Sequence, residues 1–121
     1  MTHTDIHLLL TGDELMSGDT VDSNSSMIAQ SLSAYGHSVV EKTTLGDDRT
    51  RLFRALERAT GAARILIMNG GLGPTQDDLT AELVAAAAGT ELVLHSEADR
   101  HVREWCAARS IEPNEANLKQ A

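Results

Sequence analysis

At 121 residues the chain has the length of one domain with a single buried core. Its net charge of −8 argues against nucleic acid and anionic membranes as partners, because neutralising phosphates requires clustered Lys or Arg. The lone Cys106 excludes an internal disulfide, and the five scattered histidines have no zinc-ligand spacing. The early apolar run at 6–10 is too short for a signal peptide, and no stretch reaches membrane-spanning length. We therefore expect a cytoplasmic protein.

The first third of the chain predicts a strand and then a helix. Residues 6–10 indicate a buried strand, and residues 11–18 break this pattern with two glycines. Apolar residues at helical spacing predict the first helix: Met27, Ile28, Leu32 and Tyr35. Three polar residues could cap its start, Asp22, Ser23 and Asn24, and Gly36 is the expected stop.

The middle of the chain repeats this alternation. Residues 38–45 predict the second strand, and a further apolar stripe predicts a helix that ends at Gly61. The stripe consists of Leu52, Phe53, Leu56 and Ala59. Asp47 or Asp48 is the expected cap of this helix. The continuous apolar run at 65–68 predicts a central parallel strand that is covered on both faces.

After a polar, glycine-rich segment at 69–78, the last part of the chain is predicted to be mainly helical. A helix is expected at 79–88, a short strand at 91–94, and a further helix whose core face includes Trp105. Cys106 is expected to be structural, and another helical segment begins near Pro113. The chain stops inside that segment, so we expect residues 1–121 to form one domain that is incomplete at its C-terminus.

The alternating order predicts an α/β fold with a parallel sheet and right-handed crossovers. In such sheets ligands bind beyond the carboxyl ends of the strands. Three loops leave those ends, at 12–14, 46–48 and 70–78, and each combines glycine with neighbouring acids. We expect these three loops to form one site.

The third loop is the most informative of the three. Gly70, Gly71 and Gly73 allow positive φ angles and a close approach to a ligand, and the following helix can offer free amides to an anion. It is not a phosphate-binding P-loop, because no Gly-Lys-Ser/Thr follows, and Gln76 stands where a dinucleotide fingerprint needs its third glycine.

The acids in these loops would oppose a bound phosphate. A carboxylate about 4 Å from a phosphate oxygen costs about 4 kcal/mol at an effective dielectric near 20, whereas a helix N-terminus returns about 0.3–1 kcal/mol. Since the loops contain no Lys or Arg, a bound anion would need a divalent ion such as Mg²⁺ between it and the acids. The alternative is that the acids cap helices: Asp48 the second, and Asp77 or Asp78 the third.

These motifs resemble the N-terminal domain of the competence/damage-inducible protein A (CinA) family. The resemblance is carried by Gly12-Asp-Glu-Leu15, Gly46-Asp-Asp48 and the long segment from Asn69 through Gly73-Pro-Thr to Thr80. Leu72 and Pro74 fit that branch better than the Gly-Gly-Thr-Gly form of Mog proteins. The resemblance implies a three-layer MoaB/MogA-like fold, with a mostly parallel sheet between helices, and a homo-oligomer (dimer or trimer).

The same resemblance implies a site for molybdopterin or an adenine nucleotide, with metal-dependent ADP-ribose pyrophosphatase activity. Catalytic candidates carried over by motif are Asp13, Glu14 and Asp47. Substrate-binding candidates are Gly12, Gly70, Gly71, Gly73, Thr75 and Asp78. The metal, Mg²⁺, Co²⁺ or Mn²⁺, would be held by Asp13, Asp47 and Asp78. The alternative is a non-catalytic module that binds molybdopterin or a nucleotide.

Overall fold

The computed structural model describes residues 4–121, so residues 1–3, with His3, lie outside the description. Its sheet has three parallel strands in the order β2-β1-β3: β1 (Ile6–Thr11), β2 (Val39–Leu45) and β3 (Ile65–Asn69). The predicted parallel α/β alternation is confirmed.

The central strand is β1, and the prediction that the 65–68 run is central is wrong. All six residues of β1 are buried, whereas β3 pairs on one side with β1 and leaves Ile65 44% exposed. An apolar run indicates that a strand packs against something, but its position in the sheet depends on which strands pair. That pairing is a tertiary property.

Six helices accompany the sheet in the described part of the chain. They are α1 (Asp13–Ser17), α2 (Asn24–Ala34), α3 (Arg49–Ala62), α4 (Thr80–Ala87), α5 (Ser96–Ala107) and α6 (Glu115–Leu118). The prediction of a loop at 12–14 is wrong, because the Gly12 carbonyl accepts the Leu15 N–H at 3.1 Å and a short helix begins at Asp13. Asp13 and Glu14 occupy the first turn of that helix, where negative charge is favourable.

Successive residues of β1 point to opposite faces of the sheet, and each face carries its own core. On one face Leu9 packs with Leu52 and Leu56 of α3 and Leu83 of α4. On the other face Ile6, Leu8 and Leu10 pack against Ile28 and Leu32 of α2. The sheet is therefore the middle of three layers, as the resemblance implied, and each buried leucine contributes roughly 1.5–3 kcal/mol.

Predictions for the ends of α2 and α3 are partly confirmed. Gly36, with φ of 80°, follows α2. Ser23 is the N-cap of that helix and makes no side-chain cap hydrogen bond, whereas the carboxylate of the preceding Asp22 accepts the N–H of Ser25 at 3.0 Å. Two hydrogen bonds from Ser25 lower the pKa of Asp22. The larger effect comes from the hydroxyl and the smaller from the backbone N–H. Asp48 caps α3 as predicted, accepting the Arg51 N–H at 2.8 Å. The expected stop at Gly61 is wrong, since α3 continues to Ala62.

Several apolar residues expected in the core lie at the surface instead. Met27 of α2 is 59% exposed and Tyr35, which follows that helix, is 84% exposed, because the helix buries a narrower face than their spacing suggested. Trp105 of α5 is 46% exposed, with the Arg109 guanidinium 4.0 Å from the ring centroid, so its assignment to the core is wrong. The neighbouring Cys106 is 1% exposed and structural, as expected.

The predicted strand at 91–94 is absent, and the segment runs outside the sheet with Leu92, Val93 and Leu94 exposed. In the described part of the chain β2 and β3 each pair with β1 on one side and have a free edge on the other, and this segment joins neither edge. The helical segment after Pro113 is confirmed as α6, which begins with a capping box between Asn114 and Asn117. Among residues 4–121, no helix combines the length and the apolar character needed to cross a membrane.

Candidate ligand-binding site

The carboxyl ends of all three strands meet at one edge of the sheet. Thr11 at the end of β1 pairs with Leu45 at the end of β2, and the preceding Leu10 pairs with Asn69 at the end of β3. The Gly12 N–H donates to the Leu45 carbonyl at 3.0 Å, so the loops after β1 and β2 leave the sheet in contact. The expectation that the three glycine-and-acid loops share one edge is confirmed.

Two carboxylates join the first loop to the second. The N–H of Asp47 donates to Oδ1 of Asp13 at 2.9 Å, and the N–H of Asp13 donates to Oδ2 of Asp47 at 3.2 Å. Thr11 adds its hydroxyl, which donates to Oδ1 of Asp47 at 2.9 Å. The structure therefore brings Asp13 and Asp47 together, and both carboxylates act first as acceptors of loop hydrogen bonds.

The glycines of these two loops make room for the acids. A Cβ atom on Gly46 would lie 2.6 Å from Oδ1 of Asp13, and one on Gly12 would lie 2.5 Å from Oε1 of Glu14. The carboxylate of Asp13 thus lies against the backbone of the second loop, and that of Glu14 folds back over the end of β1. The three predicted catalytic acids lie around one loop pair.

The third loop begins with a backbone turn that packs tightly against β1. Gly70 and Gly71 have φ angles of 99° and 65°, as predicted, and a Cβ on either would clash, with the Thr11 carbonyl or the Thr80 hydroxyl. The Thr80 hydroxyl donates to the Gly70 carbonyl at 2.6 Å, and the Thr80 N–H donates to the Gly71 carbonyl at 3.1 Å. The start of α4 therefore holds this turn at the sheet edge.

Gly73 differs from its two neighbours, since its φ is not positive and that prediction is wrong. Its importance is steric, because a Cβ there would lie 2.7 Å from Oδ2 of Asp78. The third glycine thus lets the loop close around a carboxylate.

The carboxylate of Asp78 forms its hydrogen bonds inside the third loop. Its Oδ2 accepts the Thr75 hydroxyl at 2.7 Å and the Thr75 N–H at 2.9 Å. The side-chain hydrogen bond from Thr75, with smaller help from the backbone of Thr75 and Gly73 and the charge of Lys119, holds the pKa of Asp78 below its ordinary value. The prediction that Asp77 or Asp78 caps α4 is wrong, because Leu79 is the N-cap and no side chain fills that role.

Of the three predicted metal ligands, Asp13 and Asp47 lie next to each other and Asp78 lies apart from them. Among the residues that the structure describes, no three Asp, Glu, His or Cys side chains lie close enough together to hold one metal ion. Asp13 and Asp47 remain as neighbouring carboxylates, whereas Asp78 is engaged with Thr75. Mg²⁺ is often held by one or two carboxylates, with substrate phosphates and water as the other ligands, so the pair fits that ion better than the predicted trio.

Sequence reasoning missed several residues at this edge. Thr11, the last residue of β1, contacts both Asp47 and Gly70, and the Asn24 amide donates to Oδ1 of Asn69 at 3.2 Å. A polar residue at the end of a buried strand was the available signal for Thr11. The contact between Asn24 and Asn69 spans 45 positions and carries no local signature.

A groove of about 540 Å³ opens beside the third loop. One part of its wall is polar, with Gly71, Gly73 and Asp78, and another is apolar, with Leu72 and the segment from Leu92 to Leu94. Lys119, which follows α6, also lines the groove and donates from Nζ to the carbonyls of Thr75 and of Asp78, the latter at 3.0 Å. The absence of Lys and Arg from the loop sequences therefore did not mean that the site lacks a cation.

Comparison with known proteins agrees with this architecture. Residues 7–114 match the family model described as a probable molybdopterin binding domain. The chain is 49% identical over its whole length to a CinA-like protein of Colwellia psychrerythraea and 43% identical over 96% of its length to one of Syntrophotalea carbinolica. It spans 28% of the length of each of these curated relatives.

Solved structures show the same fold. The protein CinA from Thermoplasma acidophilum, of unknown function, superposes with a TM-score of 0.85 at 26% identity, over 95% of this chain and 67% of that one. The tungsten cofactor synthesizing protein MoaB from Pyrococcus furiosus matches with a TM-score of 0.63 at 19% identity, over 90% of this chain and 66% of that one. The latter likeness concerns the fold alone.

Proposed function

Since the chain belongs to the family of probable molybdopterin binding domains, we propose that it binds a phosphate-bearing pterin or adenine nucleotide at the carboxyl edge of its sheet. One observation carries this proposal: the Gly70–Gly71 turn, with positive φ and no room for a Cβ, is held against Thr11 and Thr80 beside an open groove. Successive backbone N–H groups in such a turn can form a concavity that binds an anion.

The groove has the two kinds of surface that such a ligand requires. A flat ring system would lie on the apolar wall formed by Leu72 and the segment from Leu92 to Leu94. A phosphate would lie at the polar wall, near Gly71 and Gly73. Few polar groups within a mostly apolar cleft are typical of small-molecule sites. The exposure of three consecutive apolar residues is explained if a ligand covers them.

A second candidate function is hydrolysis of an ADP-ribose-like diphosphate, and the pairing of Asp13 with Asp47 favours it. Mg²⁺, Co²⁺ or Mn²⁺ bound there would polarise a phosphoryl oxygen and lower the pKa of a bound water. Asp13 and Asp47 would hold the ion, and the Thr11 hydroxyl fixes the orientation of Asp47. Glu14, the nearby third acid, would accept the proton of the attacking water as the bridging P–O bond breaks.

Binding is tested by the thermal shift of the protein with ADP-ribose, AMP, ATP or a pterin, each with and without Mg²⁺. We expect stabilisation by at least one of them, and Gly71→Val should abolish it, while Gly61→Ala in α3 should not. Because Gly71→Val also strains the turn, circular dichroism must show that this variant is folded. A parent protein that no ligand in this panel stabilises would overturn the proposal.

Hydrolysis is tested separately by single turnover of ADP-ribose with Mg²⁺ or Co²⁺. Asp13→Asn should reduce AMP release, and Asp19→Asn, an exposed acid that follows α1, is the matched control. Tight binding of ADP-ribose without AMP release would refute hydrolysis and support a non-catalytic binding module.

Self-association as a dimer or trimer belongs to the same proposal, and light scattering of the purified protein tests it.

A further inference from the structure

We propose that Lys119 is the residue that recruits the negatively charged group of the ligand, so that binding at the glycine-rich loop requires no metal ion. The inference rests on the proposed binding function and deepens it. It also separates two roles that the sequence assigned together to a divalent ion: attracting the anion, and assisting its chemistry.

The position of Lys119 is fixed by the structure around it. It follows α6, whose start is held by reciprocal hydrogen bonds between Asn114 and Asn117. Just beyond it, the carbonyl of Ala121 accepts the N–H of His95 at 2.9 Å, which joins the segment to the start of α5. From this anchored backbone the side chain reaches across 41 positions to the carbonyl of Asp78.

The ammonium group has capacity left for a ligand. It carries three N–H donors, and within the described residues two of them meet the carbonyls of Thr75 and Asp78. Those acceptors are neutral, and among the described residues Lys119 forms no ion pair with a carboxylate. The charge of Lys119 already acts on the Asp78 carboxylate, whose pKa it lowers, and the third N–H donor is available to a ligand in the groove that Gly71 and Gly73 also line.

The charge also answers the electrostatic problem of the site. At equal distance, one ammonium attracts a phosphate oxygen as strongly as one carboxylate repels it. Lys119 lies at the third loop, whereas Asp13 and Asp47 lie at the other two and already accept loop hydrogen bonds. The residues that line the groove include Lys119 and Asp78 but neither Asp13 nor Asp47, so a phosphate beside Gly71 would meet the ammonium group without a metal at the acid pair. Metal dependence should then be confined to hydrolysis.

The test measures binding of inorganic pyrophosphate and of ADP-ribose by calorimetry in the presence of EDTA. Lys119→Gln keeps hydrogen-bond donors for the two loop carbonyls but removes the charge, and Lys119→Arg keeps the charge. Lys42→Gln, on the exposed strand β2, is the matched control because it removes the same charge elsewhere. Circular dichroism and the thermal midpoint establish that each variant is folded.

We expect the parent to bind both probes without metal. Lys119→Gln should weaken both by about tenfold to a hundredfold, the range of a charge-assisted hydrogen bond, and Lys119→Arg should restore most of the affinity. Affinity of the parent should fall with rising salt more steeply than that of Lys119→Gln. Lys42→Gln should behave as the parent.

Two other outcomes separate this inference from the proposed function. If the parent and Lys119→Gln bind ADP-ribose equally, or if neither binds until Mg²⁺ is added, the role of Lys119 is refuted and the binding function stands. If pyrophosphate binding depends on Lys119 but neither nucleotide nor pterin binds, the role of Lys119 stands and the proposed ligand is wrong.

Discussion

Asp13 and Asp47 each accept a hydrogen bond from the backbone N–H of the other, at 2.9 and 3.2 Å, across 34 positions of sequence. This reciprocal pair joins the loops after β1 and β2, and among the described residues neither carboxylate forms an ion pair. Two carboxylates at such close quarters repel one another, and the N–H dipoles and the Thr11 hydroxyl offset that repulsion. The same arrangement would become more favourable with a cation nearby.

The pair predicts a non-additive effect on stability. Asp13→Ala and Asp47→Ala should each lower the free energy of unfolding by about 0.5–1.5 kcal/mol, because exposed hydrogen bonds that join the two loops are lost. The double variant should differ from the sum of the single effects by about 0.5–3 kcal/mol. Urea denaturation measures all three. As a control, Asp13→Ala combined with Glu57→Ala on the exposed side of α3 should be additive, and additivity in both pairs would show that Asp13 and Asp47 act independently.

Addition of Mg²⁺ should reveal whether this pair also holds a metal. If it does, Mg²⁺ should raise the thermal midpoint of the parent and not that of Asp13→Asn, since ligand binding to the folded state stabilises it by mass action. Calorimetry with Mg²⁺ alone measures the affinity directly. Equal thermal shifts in the parent, Asp13→Asn and the control Asp19→Asn would show that the effect of the ion is nonspecific.

Substitution by alanine should have opposite effects on the free energy of unfolding at Gly71, which has a positive φ, and at Gly61, which lies inside a helix. Gly71→Ala should lower the free energy of unfolding by roughly 1–2 kcal/mol for the left-handed backbone alone, and by more because the new methyl group meets the Thr80 hydroxyl. Gly61→Ala, inside α3 with nothing within 4 Å of the added Cβ, should raise it by about 0.5–1 kcal/mol. Chemical denaturation measures both, and a neutral Gly71→Ala would contradict the strained turn.

Thr80→Val should loosen the third loop while preserving the shape of the side chain. Thr80 is 4% exposed, and its hydroxyl donates to the Gly70 carbonyl, which would lose that partner. A cost of about 1–3 kcal/mol is expected, with weaker ligand binding, measured by urea denaturation and calorimetry. Thr20→Val, at an exposed position, is the control, and equal effects of the two would remove the special role of Thr80.

The lowered pKa of Asp78 predicts a dependence of stability on pH. A carboxyl group with a depressed pKa in the folded state stabilises the protein above the pKa it has when unfolded, and this contribution is lost as the pH falls through the folded value. The parent should therefore be more stable than Asp78→Asn at neutral pH, and the gap should close below the ordinary value of 3.8. Denaturation at several pH values measures the gap, with the exposed Asp77→Asn as control. A gap that does not change with pH would contradict it.

The amino-acid sequence alone determined the parallel α/β alternation and the three acidic, glycine-rich loops, because periodicity and turn chemistry are local. It also indicated the helix caps at Asp48 and Gly36. The predictions that the structure contradicts concern which segments pair in the sheet, and pairing does not depend on local sequence. The run at 65–68 is as apolar as a central strand, yet it lies at the edge, and residues 91–94 have strand character without a strand beside them.

The site shows the same division. Residue types and spacing identified Asp13, Asp47, Gly70, Gly71 and Asp78 as a candidate group, because parallel strands place their carboxyl ends at one edge. The tertiary structure alone decided that Asp13 pairs with Asp47 and that Lys119, which follows α6, reaches the third loop. Hydrogen bonds between residues more than thirty positions apart depend on how the layers pack, and no local pattern encodes that packing.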